Sequence, residues 1–177
     1  MSRFGIAAGR HEISHPFRDC SIPAACFSRG VPLTVHPGIG YDIYAVHPLF
    51  SGAAVGRAAA TDLRILTRAV GDLTGGVYLS VGSAVMSPQV FEKTFSAANN
   101  LRRGDGLPLI ADHAVFVVDI HDGGGWDWSA GEPPKDNPAY YLRFCKSFYR
   151  LGASTHYVRG DNVTVLQCDA TGTQYET

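Results

Sequence analysis

Three short apolar runs are each followed by, or end in, residues that can bind a nucleotide-sized ligand. These residues are glycines, a serine and carboxylates. The runs are residues 31–35, 77–81 and 114–120. The residues concerned are Gly38, Gly40, Asp42, Gly82, Ser83, Asp119 and Asp122. Glycine allows backbone amides to approach a phosphate closely, and carboxylates accept hydrogen bonds from hydroxyl and ammonium groups. Each loop alone is typical of any α/β turn, whereas the three together favour a nucleotide-sized ligand.

One segment near the start matches the HExxH pattern of zinc hydrolases. In a helix, His11 and His15 would bind one zinc ion, and Glu12 would lie beside the metal-bound water. Pro16 follows directly and disfavours helical geometry at the second histidine. A zinc hydrolase is therefore a third hypothesis, behind the two given below.

Other local motifs are incomplete. The segment 38–40 begins like a GxGxxG dinucleotide fingerprint, but Ile43 stands where the last glycine is required. The sequence has neither a GxxxxGK[ST] phosphate loop nor a GxSxG nucleophile elbow. Three potential metal ligands of this region are His36, Asp42 and His47. Histidines beside prolines in a loop are more often structural, so no metal site is predicted.

Two tryptophans and a lysine have two interpretations each. Trp126 and Trp128 lie in a loop rich in glycine and proline, where an aromatic ring either stacks over a ligand or anchors the loop. Lys146 shares a helical face with Arg143 and Arg150, opposite an apolar face. Taken alone, that position is typical of a solvated surface lysine.

Helical and strand-like segments alternate along the chain. Strand-like runs are predicted over 31–35, 77–81, 114–120 and 155–158. Helices are predicted from Ser21 to Gly30, over 51–73 with a break allowed at Gly56, from an N-cap at Ser87 onward, over 137–151, and from Asp161. This order predicts an α/β fold with a mostly parallel sheet and right-handed crossovers. The glycine-bearing loops would then meet at the carboxyl edge of the sheet.

Composition and charge limit the class of protein. The 177 residues are 45% apolar and 18% charged, which predicts a single globular domain, 1–177, with an irregular segment 1–19 and a flexible tail 169–177. A formal net charge of −1 argues against nucleic-acid and anionic-membrane binding. No apolar run approaches the roughly 20 residues of a membrane span. Because the start lacks the apolar core of a signal peptide, we expect a cytoplasmic protein whose four cysteines are reduced and mostly buried.

Taken in order, several segments carry a resemblance to a known family. They are residues 31–43, Asp62 to Leu66, the strand and Gly-Ser turn at 77–83, and the stretch from Ala114 through Pro138 to Lys146. The series resembles the carboxyl-terminal half of deoxyhypusine synthase and its bacterial relatives, over residues 20–168. The resemblance implies a three-layer, Rossmann-like domain that binds NAD and works as a tetramer with shared active sites. It also implies a polyamine substrate, from which a butylamine group passes through a lysine imine to a protein lysine or another amine.

The resemblance also implies roles for individual residues. Lys146 would be the catalytic nucleophile, because it lies eight residues after Pro138 as the family's lysine does. Neighbouring cations at Arg143 and Arg150 would favour its reactive neutral form. The substrate-binding residues would be Asp42, which holds an ammonium group, together with Asp122 and Trp126. The NAD-binding residues would be Gly38, Gly40, Gly82, Ser83 and Asp119.

Departures from the family pattern support an alternative. Pro37-Gly38-Ile39-Gly40 replaces a Thr-Asp-Gly-Ser loop, Ser87-Pro88 replaces a pair of histidines, and Phe144 replaces a tryptophan. The amino-terminal half of the family domain has no counterpart, so we expect a truncated form. The alternative is a non-catalytic binding or assembly module of the same fold. In either case, missing strands would expose a sheet edge, which a second copy or a partner would cover.

Overall fold

The chain divides into two compact units, residues up to Ala69 and residues from Val70 onward. The computed structural model describes residues 15–171. The predicted irregular segment 1–19 and flexible tail 169–177 therefore lie largely outside the described residues, although 169–171 continue the last helix. Among the described helices, none combines the length and the apolar character that a membrane span requires.

Helices and turns make up the described part of the first unit. Helix α1 (Ile22–Ser28) begins as predicted after Ser21, whose hydroxyl accepts a backbone N–H of the first turn. Helix α2 (Gly52–Gly71) runs without a break through Gly56. Two short 3₁₀ turns cover Arg18–Cys20 and Ile43–Val46.

The predicted strand over residues 31–35 is wrong. The segment has no regular secondary structure, and it pairs with no strand of the described residues. Pro32 has no N–H to donate to a ladder, and the N–H of Val35 donates instead to Oδ2 of Asp62 at 2.9 Å. A side chain of α2 thus takes the place of a neighbouring strand.

Three parallel strands form the sheet of the second unit. They are β1 (Val77–Val81), β2 (Ala114–Asp119) and β3 (Ser154–Arg159), in the spatial order β1-β2-β3. Val77 pairs with Ala114, and Ala114 pairs with Ser154. The parallel pairing confirms an α/β fold, and these strands match three of the four predicted runs. Within the described residues, neither outer edge of the sheet has a strand partner.

Three helices follow the three strands. They are α3 (Met86–Gly104), α4 (Arg143–Arg150) and α5 (Asn162–Thr171). The predicted N-cap at Ser87 is wrong, because this residue already lies inside α3 and its N–H donates to Oγ of Ser83 at 2.9 Å. The predicted helix 137–151 is interrupted at Leu142, between a 3₁₀ turn (Pro138–Tyr141) and α4.

The core of the second unit lies between the sheet and helices α3 and α4. The side chains of Ser80, Val115, Val117 and Thr155 share one face of the sheet and are buried. On the same face, the ring of Tyr78 packs against Phe91 of α3 and Phe148 of α4. The opposite face is more open, since Val77 and Leu79 are 58% and 53% exposed. The two crossover helices therefore cover the same side of the sheet.

The imidazole ring of one histidine is buried within this core without a hydrogen-bond partner among the described residues. His113 is 2% exposed, and its ring lies 5.1 Å from that of Phe95 and 6.2 Å from that of Phe91. Neither ring nitrogen has a partner among the described residues. Burial lowers the pKa of His113 from its ordinary value of 6.5, and the charge of Asp112 raises it only in part. The imidazole is therefore held in its neutral form.

This burial predicts that the second unit loses stability in acid. The unfolded chain binds a proton at His113 near pH 6.5, whereas the folded chain does so only at lower pH, so stability falls as the pH drops below 6.5. In the His113→Phe variant the urea midpoint should change less between pH 7.5 and 5.5. Both tryptophans, Trp126 and Trp128, belong to the second unit, so their fluorescence reports its unfolding.

His121→Gln is the matched control, because this histidine is exposed and its hydrogen bonds to the described residues are made by its backbone. It should keep the acid sensitivity of the parent protein. An equal loss of stability in acid for His113→Phe and the parent would contradict the assignment to this histidine.

Candidate functional site

The carboxyl ends of the three strands form one edge of the sheet in the second unit. Gly82 follows β1 and donates its N–H to the carbonyl of Val118 at 3.2 Å. Gly160 follows β3 and donates to the carbonyl of Asp119 at 3.0 Å. These bonds extend the ladders by one residue and fix where the chain leaves the sheet. The structure therefore brings Gly82, Ser83 and Asp119 to the same edge, as the sequence predicted.

The turn after β1 requires glycine for two reasons. Gly82 has φ of +65°, and a side chain there would collide with the amide group of Asn162, the first residue of α5. Ser83 then accepts the N–H of Ser87 and fixes the start of α3. The Oδ1 atom of Asn162 is buried and has no hydrogen-bond partner among the described residues. An acceptor is thus held beside the glycine turn.

Asp119 places a carboxylate at the end of the middle strand. Asp119 is 8% exposed, and its Oδ1 atom accepts the N–H of His121 at 3.0 Å. Burial, and then the charge of Asp119, raises the pKa of the Cys145 thiol to about 12. The same two causes, in the same order, raise the pKa of Tyr157 to about 12. The charge of Asp119 therefore adds to the effect of burial on both groups.

Asp122 and Trp126 stabilise the loop that follows β2. The side chain of Asp122 is 74% exposed, and its Oδ1 atom accepts the N–H of Gly124 at 3.1 Å. Trp126 donates its indole N–H to the carbonyl of Gly131 at 2.8 Å, and Trp128 is buried near the ring of Tyr149. Of the two interpretations left open by the sequence, these contacts support tryptophans that anchor their own loop.

Lys146 lies in the first turn of α4 and contacts an aromatic ring. Its Nζ atom is 3.5 Å from the centroid of the Tyr140 ring. Such a contact stabilises a positively charged side chain, whereas a nucleophilic lysine reacts in its neutral form. Arg150, one predicted source of neighbouring charge, donates to the carboxylate of Glu132 at 2.6 and 3.0 Å. The contact of Lys146 with Tyr140 therefore favours the positively charged form of the lysine.

The remaining predicted residues form a closed turn in the first unit. The N–H of Gly38 donates to Oδ2 of Asp42, and a side chain at this glycine would collide with the ring of Tyr41. Gly40 has φ of +110°. Both glycines and the carboxylate thus take part in the turn itself. They belong to a different unit from Ser83, Asp119 and Lys146.

The histidines of the sequence motifs either have hydrogen-bond partners nearby in sequence or lie outside the described residues. Of the HExxH pattern, residues 11–14 lie outside the described residues. His36 hydrogen-bonds through Nε2 to Oγ1 of Thr34 at 3.0 Å, and His47 accepts the N–H of Leu49. Among residues 15–171, no three His, Cys, Asp or Glu side chains meet as metal ligands would.

A carboxylate that the sequence analysis did not select lies in the first unit. Asp62, in the middle of α2, is 3% exposed and lines a cavity with Val55, Ala58 and Ala59 of the same helix. These four residues lie at positions i, i+3, i+4 and i+7, so they share one helix face. The sequence signal that could have identified Asp62 was a single acidic residue on an otherwise apolar helix face.

Comparisons with known proteins identify no relative: no protein-family model, no curated protein and no solved structure matches this chain.

Burial of Cys145, together with the charge of Asp119, predicts an inert thiol. With a pKa of about 12, only about one Cys145 in ten thousand is a thiolate at pH 8. Iodoacetamide at pH 8 should alkylate the exposed Cys20 in the folded protein and leave Cys145 unmodified, as read by peptide mass spectrometry. In urea both should react. Rapid alkylation of Cys145 in folded Cys20→Ser protein would show that the thiol is accessible and ionised.

Proposed function

We propose that the carboxyl edge of the sheet binds a dinucleotide of the NAD class, in a Rossmann-like domain of the deoxyhypusine synthase type. The observation that carries this proposal is Asp119, a largely buried carboxylate that ends the middle strand beside the left-handed turn at Gly82. In dinucleotide-binding α/β domains, a glycine turn approaches the pyrophosphate and an acidic residue further along the chain binds the ribose. The parallel order β1-β2-β3 with helical crossovers supports the same fold.

The hydrogen-bonding groups at this edge fit such a ligand. Oδ1 of Asp119 accepts the N–H of His121, and Oδ1 of Asn162 is buried beside Gly82 without a partner among the described residues. Both atoms are acceptors, and the ribose hydroxyls and carboxamide of NAD are donors. Asp119, Asn162 and the backbone at Gly82 would therefore hold the dinucleotide. Bound there, NAD would supply a hydride acceptor for the oxidation of an amine.

The reaction we propose is the transfer of a butylamine group from a polyamine. The amine of Lys146 would attack the imine carbon formed from the polyamine, and the leaving amine would take the proton that the lysine loses. Since only the neutral amine attacks, Nζ would have to leave the face of the Tyr140 ring before this step. Lys146 would then carry the group as an imine until an acceptor amine displaces it. The imine formed on the acceptor would be reduced by the hydride first taken from the polyamine, which restores the redox balance.

A second candidate is a binding module of the same fold without transfer chemistry. The contact between Lys146 and Tyr140 favours it, because that contact stabilises the charged lysine. In this case the dinucleotide site at Asp119 would remain, and Lys146 would act only as a cation. The two candidates therefore share one site and differ in whether Lys146 forms a covalent bond.

Assembly with a second copy or a partner chain is part of both candidates. The outer edges of β1 and β3 have no strand partner in the described part of the chain. Unpaired strand edges offer rows of backbone donors and acceptors, and proteins pair or cover them. A subunit contact at one of these edges would satisfy those groups.

Dinucleotide binding predicts a shift in thermal stability. NAD at a hundredfold excess over its dissociation constant should stabilise the folded protein by about 2.7 kcal/mol, measured as a rise in the midpoint of tryptophan fluorescence. Asp119→Asn removes the charge that accepts from the ribose, so it should weaken NAD binding by at least about tenfold. Asp136→Asn, an exposed aspartate in a turn, should bind NAD as the parent does.

Circular dichroism of Asp119→Asn checks that the variant is folded. If Asp119→Asn unfolds, the parent protein still tests the proposal. NAD or NADH at millimolar concentration should raise the midpoint of its thermal unfolding. An unchanged midpoint with both would refute the dinucleotide site.

Borohydride trapping separates the two candidates. The chain has three lysines, Lys93, Lys135 and Lys146, and only Lys146 should acquire label from isotopically labelled spermidine with NAD and borohydride. Lys146→Arg keeps a cation over Tyr140 but forms no imine, so it should remain unlabelled. Protein that binds NAD but acquires no label at Lys146 would establish the binding module instead.

A further inference from the structure

Strand β1 forms an outer edge of the sheet and carries no charge. It covers Val77–Val81, and no strand of the described residues pairs with its outer side. The sequence has no charged residue and no histidine between Asp72 and Glu92. Natural edge strands are protected from other chains by charged side chains, by proline or by a covering segment. Since β1 contains neither a charge nor a proline, it lacks two of these protections.

Strand β3, at the other edge of the sheet, is better protected. It ends in Arg159, whose side chain is largely exposed. The 3₁₀ turn Trp128–Ala130 also packs close to this strand. A charged end and a neighbouring turn both disfavour pairing with a further strand. Of the two edges, β1 is therefore the one that another chain would extend.

The backbone of β1 directs alternate residues to its free edge. The carbonyl of Gly76 accepts the N–H of Ala114, and the N–H of Gly82 donates to the carbonyl of Val118, so both glycines point toward β2. In a strand the N–H and C=O of successive residues point to opposite sides. Val77, Leu79 and Val81 therefore direct theirs away from β2, to the free edge. These three residues also share the more open face of the sheet.

This pattern is complementary to itself about Leu79. If a second β1 lies antiparallel with Leu79 opposite Leu79, then Val77 lies opposite Val81, and each of these pairs exchanges two hydrogen bonds. Aliphatic side chains then meet on the open face. On the other face Tyr78 lies opposite the small Ser80, which leaves room for its ring. Because the edge has no charge, the two copies do not repel each other.

We propose that the partner is a second copy of this chain, which pairs with β1 in antiparallel orientation about Leu79 and joins the two sheets into one. This inference rests on the assembly that the proposed function includes, and it specifies the partner and the strand. It requires neither NAD nor Lys146. A two-fold pairing uses the same surface of both copies, so it closes at a dimer.

The oligomeric state of the full chain tests the proposal. In analytical ultracentrifugation the protein should sediment as a dimer without NAD and dissociate on dilution. Parent protein that is folded by circular dichroism and stays monomeric up to millimolar concentration would overturn the proposal. Assemblies larger than a dimer that grow with concentration would also contradict it, because the two-fold pairing closes.

Charged substitutions of Leu79 test the register, because this residue faces its own copy. Leu79→Lys and Leu79→Glu each place two like charges opposite each other, so the dissociation constant of the dimer should rise at least about tenfold in either variant. Leu79 is 53% exposed in the single chain, so a charged side chain reaches water there and the variants should fold. Leu166→Lys is the matched control, because Leu166 is 54% exposed on α5 and should leave the dimer intact.

A mixture of the two charged variants makes the test specific. Lysine of one copy then faces glutamate of the other, so an equimolar mixture should form a dimer with one chain of each variant, as read by native mass spectrometry. A mixture that stays monomeric would contradict the pairing of Leu79 with itself. A dimer that both variants leave intact would place the interface elsewhere.

Hydrogen exchange of the backbone amides shows whether the contact is a pair of strands. The amides of Val77, Leu79 and Val81 should exchange slowly in the parent dimer and faster in Leu79→Lys. The amide of Tyr78 points toward β2, so it should stay protected in both proteins. A parent dimer in which the Leu79 amide exchanges as fast as in Leu79→Lys would overturn the strand pairing.

This test is separable from that of the dinucleotide site. Dimerisation is measured without NAD, and NAD binding is measured by thermal stability. A monomeric parent protein whose midpoint rises with NAD would reject the β1 pairing alone. A dimer whose midpoint is unchanged by NAD and NADH would reject the dinucleotide site and support the β1 pairing.

Discussion

The packing of Tyr78 against two phenylalanines holds the second unit together. The ring of Tyr78 on β1 lies 4.4 Å from that of Phe91 on α3 and 5.8 Å from that of Phe148 on α4. Both phenylalanines are fully buried, and the centroids of their rings lie 5.4 Å apart. Because each crossover helix is fixed to the sheet through this cluster, the cluster also fixes the loops that enter and leave the carboxyl edge. Large buried aromatic side chains of this kind dominate core energetics.

Three aspartates show how local backbone decides what a carboxylate does. Asp42 accepts the N–H of Gly38 and shapes a turn. Asp119 accepts one N–H, and its charge adds to the effect of burial in raising the pKa of a neighbouring thiol and phenol. Asp62 holds the segment 31–35 with one oxygen, and its other oxygen is buried without a partner among the described residues. All three are acidic residues beside apolar segments, and each accepts one backbone N–H. The donor differs in position: it lies four residues before Asp42, two residues after Asp119 and 27 residues before Asp62.

The sequence predicts the parallel sheet well because its signals are local. Apolar runs at 77–81 and 114–120 and the glycine turns around them indicate buried parallel strands, and the structure confirms them. The run at 31–35 has the same local signal, but its hydrogen bonds depend on Asp62, which is distant in sequence. The cavity at Asp62 has the same origin, since its lining combines residues of α2 with Val35 and Pro37. The position of Lys146 over Tyr140 depends on the interruption at Leu142, which periodicity does not reveal.

The parallel ladders also determine how the second unit can fold. Each ladder joins two strands that are separated by a complete helical crossover, as the pairs Val77 with Ala114 and Ala114 with Ser154 show. The contact order of the sheet is therefore high. Closing these long loops costs chain entropy before any ladder bond forms. Helix α1 closes through neighbours in sequence and has no such barrier. Folding of the second unit is therefore governed by the slow search that first brings β1 and β2 side by side.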